Sequence, residues 1–184
     1  MLFAQQTAIF KDVEHNYFKA LELYNKQQFS AAQRLFTKTI EDIDDEKHNL
    51  SITSEYYNAI CAVQLFNNNA EVLLRKFIED HPQNANIKYI YFQLGNFQYS
   101  KKNYRAVLKS FSQVDQYDLS AQERIEYHFK YGYAYFTLEQ IDKAGEHFFQ
   151  IINKDSRFKS SAIYYYSHIS YTQKNYQTAL TGFL

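Results

Sequence analysis

The side chains from which metal or acid–base chemistry would be assembled are few in this 184-residue chain: six histidines, one cysteine and 20 carboxylates. No two of His15, His48, His81, His128, His147 and His168 stand four apart, so the His-x-x-x-His spacing that puts two imidazoles on one helix face for zinc is absent. Cys61 is alone and can form neither a Cys-x-x-Cys site nor an internal disulfide. It sits among Ala59, Ala62 and Val63 and reads as buried and inert. The four glycines are scattered, so no loop of backbone N–H groups can cradle a phosphate, and there is no Gly-x-Ser-x-Gly elbow. Asp44-Asp45 falls in a polar stretch and reads as a solvated loop rather than an acid/base pair. The chain is therefore expected to be non-enzymatic, with no catalytic residue, metal site or cofactor.

What remains is packing and surface. With four glycines and a single proline, Pro82, the chain lacks the residues on which the tight turns of a β-rich protein depend, so long helices joined by short polar loops are expected. Hydrophobic residues make up 46%, and 18 tyrosines and 16 phenylalanines supply bulk for a core between helices. Twenty basic residues balance 20 acidic ones with no long run of one sign, which leaves no electrostatic footprint for nucleic acid. No apolar run approaches the roughly 20 residues that span a bilayer, so no membrane insertion is expected. The stretch Met1 to Gln6 is too short for a signal peptide and fits either a frayed start or the stub of a leader.

An internal repeat organises the rest. The small residues Ala20, Gly95, Gly132 and Ser167 are each followed nine residues later by Phe29, Tyr104, Ile141 and Tyr176. Twelve later come Ala32, Val107, Ala144 and Ala179, and sixteen later Phe36, Phe111, Phe148 and Phe183. The steps are 75, 37 and 35 residues, so an irregular fifth unit belongs in the first gap, over 51–82. The small residue permits close approach of a first helix, and the last two positions, four apart, share one face of a second helix. One such pair cannot bury its apolar face alone, so pairs must stack.

This pattern resembles the tetratricopeptide repeat, a helix–turn–helix unit of about 34 residues. Tyr131-Gly132-x-x-Tyr135 followed by Ala144-x-x-x-Phe148-x-x-Ile151 carries the resemblance best. Gln98, Lys19 and the absence of tryptophan depart from it. The resemblance implies an all-α, right-handed solenoid of about five antiparallel helix pairs, a single domain over 1–184 with units near 13–48, 51–84, 88–121, 125–158 and 160–184. Helices are predicted at 8–26, 29–43, 51–66, 70–81, 86–101, 104–114, 121–138, 141–153, 160–174 and 176–184, with capping boxes at Ser120–Glu123 and Ser30–Gln33. The last helix is short and uncapped, which suggests an N-terminal piece of a longer repeat protein whose open C-terminal edge self-associates.

In tetratricopeptide proteins the first helices line the concave surface, and here that surface would be aromatic. The candidate partner-binding residues are Phe92, Asn96, Tyr99, Phe129, Lys130, Tyr133, Tyr164, Tyr165 and His168. Tyr133 and Tyr164 are expected to be partly exposed and Phe136 buried; Tyr24, Tyr99, Phe136 and Tyr171 fit contacts between neighbouring first helices. The lysine, arginine and asparagine clamp that some such proteins use for a C-terminal carboxylate is represented only by Asn96 and Lys130. The expected role is a protein–protein interaction scaffold whose groove takes a partner segment. The alternative is a structural or carbohydrate-binding module of the cell envelope, since the texture is similar to long tetratricopeptide proteins of bacterial envelopes; a periplasmic or envelope location goes with that likeness, and a cytoplasmic one otherwise.

Overall fold

A computed structural model describes residues 2–43, 45 and 48–183, with side chains from Asp12 onward. Among the described residues there are ten α-helices and no strand: α1 (Leu2–Asn25), α2 (Phe29–Glu41), α3 (Asn49–Gln64), α4 (Ala70–Asp80), α5 (Ile87–Ser100), α6 (Tyr104–Phe111), α7 (Ala121–Thr137), α8 (Ile141–Phe149), α9 (Lys159–Thr172) and α10 (Tyr176–Phe183). They match the ten predicted segments. The largest departures are α1, which reaches back to Leu2, and a 3₁₀ turn at Gln116–Asp118 that was not expected. Asp44 of the acidic pair lies outside the described residues. The chain divides into two compact units, Met1–Gln93 and Leu94–Leu184, with the division inside α5.

Each first helix ends in the same turn. Gln27, Phe66, Lys102, Glu139 and Lys174 all take positive φ, between 53° and 63°. The next residue donates its N–H back five residues: Gln28 to the carbonyl of Leu23, Asn67 to Ala62, Asn103 to Gln98, Gln140 to Tyr135 and Asn175 to Ser170, at 2.8–3.0 Å. This is the Schellman closure, which satisfies the last carbonyls of a helix and reverses the chain. A glycine normally occupies the left-handed position; here none does, and the chain's glycines sit inside helices instead.

Those glycines let helices touch. A β-carbon on Gly132 would lie 3.1 Å from His147 Cβ and 3.2 Å from the Phe148 ring, and one on Gly95 would lie 2.2 Å from the Phe111 ring. Phe36, Phe111 and Phe148 are fully buried, as are Ala32, Val107 and Ala144 one turn before them. The irregular unit keeps the same logic in a shifted frame. Ala70, Leu74 and Phe77 are buried on α4 at the spacing that Ala32, Phe36 and Thr39 take on α2. Two residues intervene there between the closing residue Asn67 and the second helix, which absorbs the offset.

The caps are mixed. Ser120 and Glu123 form the expected box, with Ser120 Oγ accepting from the Glu123 N–H and the Glu123 carboxylate accepting from the Ser120 N–H. The box expected at Ser30–Gln33 is a correction. Helix α2 starts at Phe29 with Gln28 as its cap residue, so Ser30 is already inside the first turn. Gln33 instead donates to the Asn58 carbonyl of α3 and accepts from Asn67.

Candidate partner-binding face

In the second unit the C-terminal half of α5 and the first helices α7 and α9 share one continuous face. Its centre is Lys130 on α7, whose ammonium donates to Asn96 Oδ1 of α5 at 3.0 Å and pairs with Glu126 one turn back. The same ammonium lies 5.4 Å from the centre of the Tyr99 ring, a cation–π distance. Burial pushes the Lys130 pKa down, and Glu126 works against that shift. The lysine is therefore spent on positioning its neighbours, and its charge is matched by a carboxylate.

Tyrosine rings continue the face on either side. Tyr133 stands edge-on to Tyr99 at 5.8 Å, to Tyr104 at 5.6 Å and to Tyr165 of α9 at 5.4 Å. Burial raises the phenol pKa of Tyr99, Tyr104 and Tyr165, and their neighbouring tyrosines add to it. These rings stay neutral hydroxyls that both donate and accept hydrogen bonds. Beyond them Tyr164 is 55% exposed and leans toward His168, which is exposed as well. Arg157, between α8 and α9, covers the Phe158 ring at 4.7 Å and comes within 3.7 Å of Glu126.

Of the nine residues expected on this wall, Asn96, Tyr99, Lys130, Tyr133 and Tyr165 are half-buried and Tyr164 and His168 are exposed. Two are corrections. Phe92 is 1% exposed and is a core residue of the first unit. Phe129, 9% exposed, stacks on Phe158 at 4.6 Å and meets Phe148, so its ring fills the α7–α8–α9 core. For Phe129 the reason is geometric: its ring turns under Phe158, at the start of the next helix pair. Phe136, expected to be buried, is half-buried against Tyr165 and His168. Helix-to-helix contact holds for Tyr24 with Tyr57, Tyr99 with Tyr133 and Phe136 with Tyr165, whereas Tyr171 is 59% exposed. Glu126, Tyr104 and Arg157 join the face unforeseen. Glu126 was legible as the carboxylate one helical turn before Lys130.

The reactive groups are placed elsewhere. Cys61 is fully buried, and burial pushes its thiol up to about 12. His48 caps α3, and His81 lies 2.7 Å from the Glu55 carboxylate. His128 and His147, 19 residues apart, meet on the far side of α7 at 3.0 Å between their Nδ1 atoms. Among the described residues no group of three or more His, Cys, Asp or Glu is arranged to hold a metal ion. No described helix is long and apolar enough to cross a membrane.

No family model matches the chain, and none of the curated proteins matches it significantly. Solved structures do. MamA AMB-1 superposes with a TM-score of 0.70 at 15% identity, over 92% of this chain and 93% of that one. MamA MSR-1 gives 0.69 at 15% identity, over 94% and 92%. YrrB, described as a TPR protein with an unusual peptide-binding site, gives 0.68 at 18% identity, over 95% and 88%. With ten helices among the described residues, the closing turns they share and these superpositions, the chain has the tetratricopeptide-repeat fold.

Proposed function

We propose that this chain is a non-enzymatic interaction scaffold that takes a segment of a partner protein on the α5–α7–α9 face. The observation that carries the reading is the continuity of that face: three successive first helices join through Asn96–Lys130, Tyr99–Tyr133 and Tyr133–Tyr165, and it ends in the exposed Tyr164 and His168. Tyrosine suits such a role because its ring contributes area at little entropic cost while its hydroxyl bonds a partner backbone. The matched charges of Lys130 and Glu126 leave little for a charged ligand to gain there. A polypeptide segment with apolar side chains fits better than a polyanion. YrrB, which shares the fold, has a peptide-binding site by its own description.

The test is site-specific photo-crosslinking in cells from positions 164 and 168, with position 146 on the α8 side as control, followed by binding of the captured segment to purified protein. The expected result is one polypeptide captured from 164 and 168 only, whose affinity falls about tenfold or more in Tyr164→Ala combined with His168→Ala. Capture from 146 alone, or binding of an oligosaccharide in place of a polypeptide, overturns the reading.

A further inference from the structure

His128 and His147 play no part in the face above. His128 is two residues from Lys130 and so lies on the other side of α7, where α8 docks. Its Nε2 is 2.8 Å from the side-chain carbonyl of Gln116, an atom that can only accept. His128 therefore carries its hydrogen on Nε2 and, being neutral, its lone pair on Nδ1. That Nδ1 stands 3.0 Å from Nδ1 of His147, which must then be the donor. The chain of bonds has one direction, from His147 Nδ1–H to His128 Nδ1 and from His128 Nε2–H to Gln116. It leaves one lone pair free in the pair, on His147 Nε2.

The surroundings hold the rings neutral. His128 is 6% exposed, and the His147 ring lies against Tyr131 at 4.5 Å and stacks on Tyr135 at 5.6 Å. On α7, Arg124 stands beside His128, tied by its guanidinium to the carbonyls of Gln116 and Leu119, and Tyr127 packs edge-on to both imidazoles. From α8 and beyond, Glu146 and Lys154 line a cleft of about 540 Å³ against which the two imidazoles sit, and Lys143 lies over Tyr135. Asp115, before the 3₁₀ turn, acts on Tyr127. Burial, then Arg124 for His128 and His128 for His147, brings both imidazoles down to about 4.

We propose that this directed pair is an acid-sensitive latch between α7 and α8 that opens on its second proton. The first proton enters at His147 Nε2 and leaves every hydrogen bond of the chain in place. The second can enter only at His128 Nδ1, where it sets two N–H groups head to head and adds a second charge beside Arg124. The bond is lost and the rings separate, loosening the seat of α8 on α7. For its consequence alone the latch rests on the function proposed above: α7 also carries Lys130 and Tyr133, so acid would slacken the partner face.

Nitrogen-15 NMR of the histidine side chains in the whole chain tests this directly. At pH 7, His128 is expected as the Nε2–H tautomer and His147 as the Nδ1–H tautomer, with two stepwise titrations, both well below the ordinary 6.5. Hydrogen exchange of α8 amides should accelerate only across the second step. His147→Phe keeps the stacking on Tyr131 and Tyr135 but removes the opposed pair of N–H groups, and the loss of α8 protection that accompanies the second step in the unaltered chain should then be several-fold smaller at the same pH. Both rings in the Nε2–H form, or a loss of α8 protection in His147→Phe as large as in the unaltered chain, overturns the latch. If His147→Phe does not fold, the tautomers of the unaltered chain decide alone. Partner binding at pH 7 is unaffected by His147→Phe, so failure of the latch and failure of the partner face are separately visible.

Discussion

Tyr131 and Tyr133 are two residues apart on α7 and alike in type, yet one is buried and the other half-open. Behind Tyr131 the neighbour is close. Gly132 lets α8 approach, and Tyr131 is enclosed by Phe111, Tyr127, Tyr135 and His147. Around Tyr133 the neighbours are large rings from α5, α6 and α9, and Lys130 with Asn96 and Glu126 holds a polar strip between the rings. The difference lies in what stands opposite. Small residues facing each other pull helices together and make aromatic rings structural, whereas large rings facing each other across a polar strip keep a surface.

The contrast can be broken most forcefully from the packed side. Phe148→Ala removes a fully buried ring that meets Phe129 and Tyr165, and urea denaturation should show a loss of about 3–5 kcal/mol. Acid attacks the same junction by another route. The fold lowers both imidazoles from 6.5 to about 4, so it favours the neutral forms. Stability is full above pH 6.5 and falls as pH drops from 6.5 toward 4, by on the order of a few kcal/mol for the pair, one pKa unit being about 1.4 kcal/mol. A midpoint-versus-pH series should show this fall in the unaltered chain and a shallower one in His147→Phe. Gly132→Leu should overpack the α7–α8 contact by about 1–3 kcal/mol; an unchanged midpoint would mean that the two helices are not held by that contact.

The open side should respond weakly. Tyr164→Ala is expected to change stability by no more than about 0.5 kcal/mol while weakening partner binding, and a larger loss of stability would move Tyr164 to the structural class. Relieving a left-handed turn residue should act in the opposite sense. Lys102→Gly or Glu139→Gly is expected to raise stability by about 0.5 kcal/mol, seen as a small rise in Tm, because the strain removed exceeds the added freedom of the unfolded chain.

The fold was largely legible because its signal is redundant. Small residues and phenylalanines recur at fixed offsets, and each offset has a packing reason that Phe36, Phe111 and Phe148 bear out by being fully buried. The turns were visible only as spacing, since Gln27, Phe66, Lys102, Glu139 and Lys174 carry no turn chemistry. The irregular unit escaped a fixed-offset search because its frame shifts, and only burial reveals Ala70, Leu74 and Phe77 as its equivalents. The candidate face was half legible. Helical periodicity located the side of the helix, but it could not say that Phe129 turns under Phe158 while Tyr164 does not. The histidine pair was hidden by a search for two imidazoles on one helix. Taken with the Gly132 register, His128 at four before and His147 at three after Ala144 already pointed at a shared interface.

The order of helix contacts has a kinetic consequence. Within the first unit α1 meets α2, α2 meets α3 and α3 meets α4; within the second, α6 meets α7, and so on to α10. Within each unit these contacts are made mainly between stretches that are neighbours along the chain. Little loop-closure entropy stands between the unfolded chain and its first productive contacts, and proteins so built fold in microseconds to milliseconds. Any helix pair can nucleate, and growth then proceeds by adding the next pair to an existing edge. Unfolding should run the same way in reverse, shedding pairs one at a time, so that amide exchange rates rise in steps along the chain rather than together.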